Sequence, residues 1–185
     1  MFNEEKAAQI AAYFLQKRGE KMSYLKLMKL MYLADRESMA EFDESMTDDS
    51  WFSMDKGPVL SSVLNLIQGS SRSGQWDAWI AEAHVAHEVV LARPELNRDS
   101  FDELSDADIE ILESVWSRFG KMTRWELVSF THDECSEWRD PNKSALPISP
   151  QDVFQALGKT EFESEELAAG IFQRRQLQEV LGRLR

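Results

Sequence analysis

Residues 24–36 have the sequence Tyr24-Leu25-Lys26-Leu27-Met28-Lys29-Leu30-Met31-Tyr32-Leu33-Ala34-Asp35-Arg36, from which the architecture of the chain can be predicted. On a helix, the apolar side chains of this stretch spread over about 220° of the circumference. A helix that is apolar over so wide an arc must be packed by other elements on nearly every side. We therefore predict a nearly buried central helix from Ser23 to about Phe42. Lys26, Lys29 and Arg36 share the remaining narrow stripe, which we predict to face solvent or a partner.

Further helices are predicted on both sides of the central one. Asn3 can cap a first helix that ends near Gly19, and Gly57-Pro58 can open a third that ends near Gly69. Capping patterns predict four later helices, which begin at Ser105, Thr123, Ser149 and Ser164. Residues 50–54 and 87–91 are short, apolar and bounded by turn-prone residues, so we expect two strands that pair with each other. The predicted fold class is mainly α: a compact multi-helix domain with a small two- or three-stranded β element and C-terminal helices.

Prolines mark the predicted domain boundary. Pro141, Pro147 and Pro150 fall between the helix that begins at Thr123 and the C-terminal helices. We therefore divide the chain into a main domain, residues 1–140, and a C-terminal helical extension, residues 141–185, which packs on that domain or is appended to it.

The charge of the chain is acidic and unevenly distributed. Lys and Arg number 21 against 33 Asp and Glu, which gives a net charge of −12. Such a charge repels the phosphate backbone and disfavours nucleic-acid binding. Residues 37–69 hold seven acidic and one basic side chain, so this region could meet a basic protein, although such a face is more often simply solvated. A basic C-terminal helix keeps DNA binding as a weak alternative; its arginines are Arg174, Arg175, Arg183 and Arg185.

Sequence features also predict the compartment. No apolar run is long enough to span a bilayer, and the first residues are too acidic for a signal peptide. The single cysteine, Cys135, cannot form an internal disulfide, which agrees with a reducing environment. We expect a cytoplasmic protein without a membrane partner.

The inventory of chemically reactive residues is thin. His132, Asp133, Glu134 and Cys135 combine a base, two carboxylates and a thiol, but adjacency in sequence is poor evidence for catalytic geometry. We expect His132 to have a structural role beside Trp138. His84 and His87 are three residues apart without enough further ligands for zinc, and neither an EF-hand loop nor a phosphate-binding loop is present. We therefore predict no catalytic residue, no cofactor and no metal site.

The central block, Gly57-Pro58-Val59 and the segment from Leu127 to Trp138 resemble, in order and spacing, the Panacea domain, also called the SocA-like antitoxin domain. The resemblance covers roughly residues 4–140. The residues that match the family motif are Lys26, Lys29, Leu30, Tyr32, Asp35, Gly57, Pro58, Val59, Thr131, His132, Glu134 and Trp138.

This resemblance implies a mainly helical bacterial or phage protein that acts as an antitoxin, neutralising a toxin encoded beside it by direct binding. Two alternatives are a proteolytic adaptor that delivers the toxin to a Clp-type protease and, less favoured, an enzyme that reverses the toxin's product. The predicted toxin interface comprises the acidic central surface, namely Asp48, Asp49, Trp51, Phe52, Met54 and Asp55, together with the stripe of Lys26, Lys29 and Arg36.

Overall fold

The central block forms a helix that runs through the middle of the protein. The computed structural model describes residues 2–71, 73–83, 85–93 and 95–183. In it, the central helix α2 spans Tyr24–Phe42 and buries twelve of its residues, as the wide apolar arc predicts. Helix α1, Glu4–Arg18, packs beside it and is itself buried from Ala7 to Leu15.

The other helices surround this pair. The described residues contain α3 (Ser61–Ile67), α4 (Asp106–Phe119), α5 (Arg124–Glu134), α6 (Pro150–Ala156) and α7 (Glu161–Arg183), and a short 3-10 helix at Arg98–Ser100. Ser105, Thr123 and Ser149 each form a capping box at the start of the helix predicted from it. The last helix begins at Glu161 rather than at Ser164, because Thr160 bonds the backbone and carboxylate of Glu163.

Two small antiparallel sheets flank the helices, and the predicted pairing of 50–54 with 87–91 is wrong. Strand β2 (Trp51–Met54) pairs with β3 (Gly57–Leu60) on one side and with β6 (Leu146–Ile148) on the other. Strand β5 (Glu88–Leu91) pairs with β1 (Lys21–Ser23) and β4 (Ile80–Glu82). The turn at Asp55-Lys56 brings β3 directly against β2, so Gly57-Pro58 starts a strand and the third helix begins only at Ser61.

The core lies where α2 meets α1, α4, α5 and β3. It includes Phe14, Leu27, Leu30, Met31 and Leu112, all of them fully buried. Met46 is buried as well, so its thioether does not form an exposed contact surface. The fold class predicted from the sequence is confirmed: the described residues are mostly helical, with two small three-stranded sheets.

Residues 141–185 contribute to both packing and sheet structure. They supply β6 to the second sheet and the pair α6–α7, whose contact buries Phe154, Ala168 and Ile171. That residues 1–140 form a domain of their own stays a prediction. None of the helices in the described part of the chain has the length and apolar character needed to cross a membrane.

Candidate functional site

The predicted exposed stripe of Lys26, Lys29 and Arg36 is buried or half-buried, so the expectation that it faces solvent is wrong. Lys29 is fully buried and Lys26 is 7% exposed. Arg36 is half-buried and forms an ion pair with Glu137 at 2.7 Å. Each lysine places its ammonium on backbone carbonyl oxygens from distant parts of the chain, Lys29 on Pro58 of β3 and Lys26 on the turn after α4. A helical projection of residues 24–36 cannot show these acceptors.

The ammonium of Lys29 lies at the junction of α2, β3 and α5. Its Nζ donates to the carbonyl oxygen of Pro58 at 2.6 Å. Gly57 has a φ of +94°, and a Cβ at this position would lie 2.6 Å from Thr131 Oγ1 and 2.9 Å from Lys29 Nζ. Only glycine fits here. Burial lowers the pKa of Lys29 to about 7, because no described carboxylate forms an ion pair that would compensate for its charge.

The carboxylate of Asp35 organises the loop that follows α2. It accepts hydrogen bonds from the Thr47 backbone N–H at 2.8 Å, from the Trp51 indole Nε1–H at 2.6 Å and from the Ser45 hydroxyl at 3.0 Å. Burial raises the pKa of Asp35 to about 6, and these donors oppose the rise. Asp35 therefore holds residues 45–51 against the central helix.

Glu137 is a buried partner that the sequence did not reveal. Its Oε1 accepts from the Tyr32 hydroxyl at 2.6 Å and from Arg36 Nε at 2.7 Å. Burial raises the pKa of Tyr32 well above its usual value, and the neighbouring Glu137 carboxylate adds to the rise. The three side chains tie α2 to the segment after α5. Because they lie about a hundred residues apart, no local spacing could have indicated the cluster.

His132 stacks on Trp138, as its predicted structural role requires. The ring centroids are 3.9 Å apart and the planes differ by 15°, while Trp138 Nε1 donates to the Met54 carbonyl at 3.0 Å. Burial lowers the pKa of His132, and the nearby Lys29 ammonium lowers it further. Cys135 is fully buried, and burial raises the pKa of its thiol to about 12, so it is not an accessible thiolate nucleophile.

Most of the sequence-predicted motif residues converge on this interior region. Leu30 and Val59 lie in the apolar core, Thr131 and Pro58 are buried beside Lys29, and Glu134 is exposed at the end of α5. The motif therefore builds the junction of α2, β3 and α5. Among the described residues, no group of three or more His, Cys, Asp or Glu could hold a metal ion; His84, considered above, lies outside them.

Helix α7 covers the predicted acidic interface in part. Arg174 pairs with Glu44 at 3.1 Å, and Arg175 lies 3.6 Å from Asp48 and donates to the Asp49 carbonyl at 3.1 Å. These contacts place basic side chains of the same chain on the loop expected to attract a basic partner. Of the other two C-terminal arginines, Arg185 and the side chain of Arg183 lie outside the described part of the structure.

Two further residues of the predicted interface are buried and structural. Asp49 is 1% exposed, and its carboxylate caps α3 by accepting from Ser62 N–H at 2.9 Å and Val63 N–H at 3.0 Å. Trp51 is 3% exposed and donates to Asp35. The expectation that Asp49 and Trp51 are available to a partner is therefore wrong, because both hold the β2 strand and the start of α3 in place.

The accessible remainder of the predicted interface lies at the β2–β3 turn. Phe52 and Met54 are half-buried, and Asp55 and Lys56 are exposed. The Lys56 ammonium lies 5.8 Å from the ring centre of Trp125, an indole that is 53% exposed on α5. We call Met54, Asp55, Lys56 and Trp125 the hairpin face. A pocket of about 300 Å³ adjoins it, lined in part by Tyr24, Leu25, Met28 and Leu64.

The family model for "Antitoxin SocA-like, Panacea domain" matches residues 27–139, well over half of the chain. The chain belongs to the SocA-like Panacea family. Its matched region begins within α2 and ends just after Trp138, so it contains the whole α2–β3–α5 junction. A search of curated proteins found no match to the chain. In this Panacea domain most of the motif residues are buried, whereas the hairpin face combines residues next to the motif with an exposed tryptophan.

Proposed function

We propose that the protein is an antitoxin that neutralises a cognate toxin by binding it directly. The observation that carries this proposal is the match of residues 27–139 to an antitoxin family. The site geometry supports it, because the buried polar groups of the motif, Lys29 and Asp35, and the buried Glu137 beside them are each held by groups of the fold itself. A protein-binding surface is therefore a better candidate for the functional site than a catalytic centre built from these buried polar groups.

We propose the hairpin face as the toxin-binding surface. Tryptophan is enriched among the residues that dominate binding energy, and an indole left 53% exposed retains much apolar area for a partner to cover. Met54 offers a thioether that can adapt to an uneven surface. Asp55 and Lys56 supply charges of both signs at the turn, which would orient a partner rather than provide most of the affinity.

The acidic loop is a secondary part of this proposal. Its Glu44 and Asp48 carboxylates already pair with α7, so a basic toxin must compete with Arg174 and Arg175 for them. Asp55 makes no ion pair with a described residue and accepts only the Lys143 backbone N–H, at 3.0 Å. The negative charge at the hairpin face is therefore more available than the negative charge of the loop.

The test of the surface is an alanine substitution of its exposed aromatic residue. Trp125→Ala is expected to weaken toxin binding by about 2 kcal/mol or more, which is roughly 30-fold in Kd. Phe162→Ala is the matched control, because Phe162 is an aromatic residue that is 68% exposed but lies on α7. Titration calorimetry with the purified toxin measures both. Equal affinities for the two variants would place the interface elsewhere.

A proteolytic adaptor remains the second candidate, because α7 carries several exposed apolar side chains. Phe172, Leu177, Val180 and Leu181 are each more than half exposed on its later turns. An adaptor needs one surface for the toxin and another for the protease, and this helix could supply the second. Deleting the Clp-type protease distinguishes the two functions: an adaptor then fails to neutralise the toxin, whereas a direct inhibitor still neutralises it.

An enzyme that reverses the toxin's product would instead neutralise the toxin at substoichiometric amounts.

A further inference from the structure

A cationic groove lies on the side of the protein formed by the end of α1, β1 and the α4–α5 turn. Its volume is about 640 Å³. Its lining includes six basic residues from separate parts of the sequence: Lys17, Arg18, Lys21, Lys26, Lys121 and Arg124. In a chain with a net charge of −12, such a concentration of basic residues is unexpected for a surface that is merely solvated.

The groove also has apolar lining, and the backbone at Gly120 lies close against the Trp116 ring. Trp116, Met22 and Met122 line the groove between the charged rims. Gly120 permits this arrangement, because a Cβ there would lie 2.6 Å from the Trp116 ring. The groove thus offers apolar contact area beneath its cations.

Lys26 places a buried positive charge in the same groove. Its Nζ donates to the carbonyl oxygens of Gly120 and Met122, each at 2.7 Å. An ammonium has three protons to donate, and these two carbonyls account for two of them. No described carboxylate lies within ion-pair distance of it, and burial lowers the pKa of Lys26, with Arg18 adding to that effect. A negative group in the groove would supply the missing counter-charge.

Few acidic groups oppose the basic rim. Glu88 lines the groove, Glu113 pairs with Lys17, and Glu126 lies near Lys26 while its carboxylate accepts from the Thr123 backbone N–H. Arg18, Lys21 and Lys121 are exposed and form no ion pair with any residue that the structure describes. The groove therefore keeps a net positive charge after these pairs are counted.

We propose that this groove binds an acidic peptide segment of a partner protein, one that carries several carboxylates beside an apolar side chain. The spread of the cations around an apolar floor fits several separate negative charges better than one phosphate. The nearby start of α5 does not cradle a phosphate either, because Thr123 and Glu126 bond each other's backbone N–H groups. A nucleic acid would extend beyond the groove onto a surface of the same sign as its own charge. The proposal goes beyond toxin binding at the hairpin face and does not depend on it.

A fluorescence-anisotropy titration tests the proposal with defined probes. The acidic probe is a labelled decapeptide of glutamates around a central leucine, and the comparison probes are the same peptide with glutamines, a single-stranded oligonucleotide and inorganic triphosphate. Wild-type protein is expected to bind the acidic peptide at least tenfold more tightly than the glutamine peptide. Lys21→Glu/Lys121→Glu is expected to weaken the acidic peptide's binding roughly tenfold or more.

The matched control is Lys56→Glu/Lys143→Glu, which changes the net charge equally but alters lysines outside the groove. Equal weakening by both double variants would overturn the proposal, since the effect would then come from net charge alone. Tighter binding of the oligonucleotide or the triphosphate at the groove would also overturn it. Self-association lost only in the groove variant, measured by analytical ultracentrifugation, would replace the proposed partner by a second copy of this chain.

Discussion

Two lysines of this protein, Lys26 and Lys29, are buried, although lysine side chains are ordinarily exposed to solvent. Lys29 keeps an amine in the interior with the Pro58 carbonyl as its acceptor. A helical projection assigns it to the polar stripe, because lysine is rarely buried without a partner. Its acceptor comes from a strand that begins 28 residues after it, so local sequence could not indicate the burial. The lysines could be recognised as motif residues from the sequence, but their interior position could not.

Lys29 makes the stability of the protein depend on pH. Its folded pKa of about 7 lies below the value in the unfolded chain, so the unfolded state binds more protons between these two values. The free energy of unfolding should therefore rise with pH, by about 2 kcal/mol from pH 7 to pH 9 through this group. Lys29→Met should remove that rise. Urea unfolding of both proteins at the two pH values measures it, and an unchanged slope in the variant would contradict the assignment.

Gly57 is a position at which only glycine fits, because a Cβ would collide with neighbouring side chains. Gly57→Ala adds a Cβ at a φ of +94° and within 3 Å of both Thr131 Oγ1 and Lys29 Nζ. We expect it to destabilise the protein by ~3 kcal/mol or more, of which ~1 to 2 kcal/mol is backbone strain. Gly158→Ala is the control, since Gly158 has a φ of +90° and nothing lies within 4 Å of its added Cβ. Equal losses in thermal denaturation would show that the Lys29 junction is not tightly packed.

Among the secondary-structure elements, the sequence predicted most helix starts correctly, misplaced the starts of α3 and α7, and failed for strand pairing. The apolar arc of α2 and the capping residues Ser105, Thr123 and Ser149 are local signals, and each helix begins where they indicate. Strand partners depend on register between distant segments, and short strands carry little specific pattern. Strand β2 therefore pairs with β6 from the C-terminal segment instead of with β5.

Helix α7 has a packed first half and an exposed second half. Ala168 and Ile171 are buried against the body of the protein, whereas the side chains described beyond Arg175 are all exposed. Ending the chain after Arg175 should change Tm by no more than ~2 °C, whereas ending it after Thr160 should lower Tm by ~5 °C or more, because core side chains are then lost. Differential scanning fluorimetry measures both truncations. A large decrease in Tm when the chain ends after Arg175 would mean that the exposed half of α7 supports the fold.

At the scale of the whole molecule, charge is separated into distinct surfaces. The acidic loop after α2 is partly neutralised by arginines of α7, while the cationic groove keeps its charge in a chain whose net charge is −12. The amino-acid sequence revealed the net charge and the acidic middle region. It could not reveal the groove, because the basic residues of the groove come from α1, β1, α2, the α4–α5 turn and the start of α5 and meet only in the folded chain.

We propose that the protein neutralises a toxin by forming a complex with it. The most direct test is to express the neighbouring open reading frame, alone and together with this protein, in cells that lack Clp-type proteases. Growth of the cells is measured, and the mass of the co-purified proteins is determined by native mass spectrometry. We expect the toxin alone to stop growth, and co-expression to restore it with a stable stoichiometric complex. Failure of co-expression to restore growth in these protease-deficient cells, or rescue without any complex, would contradict direct neutralisation.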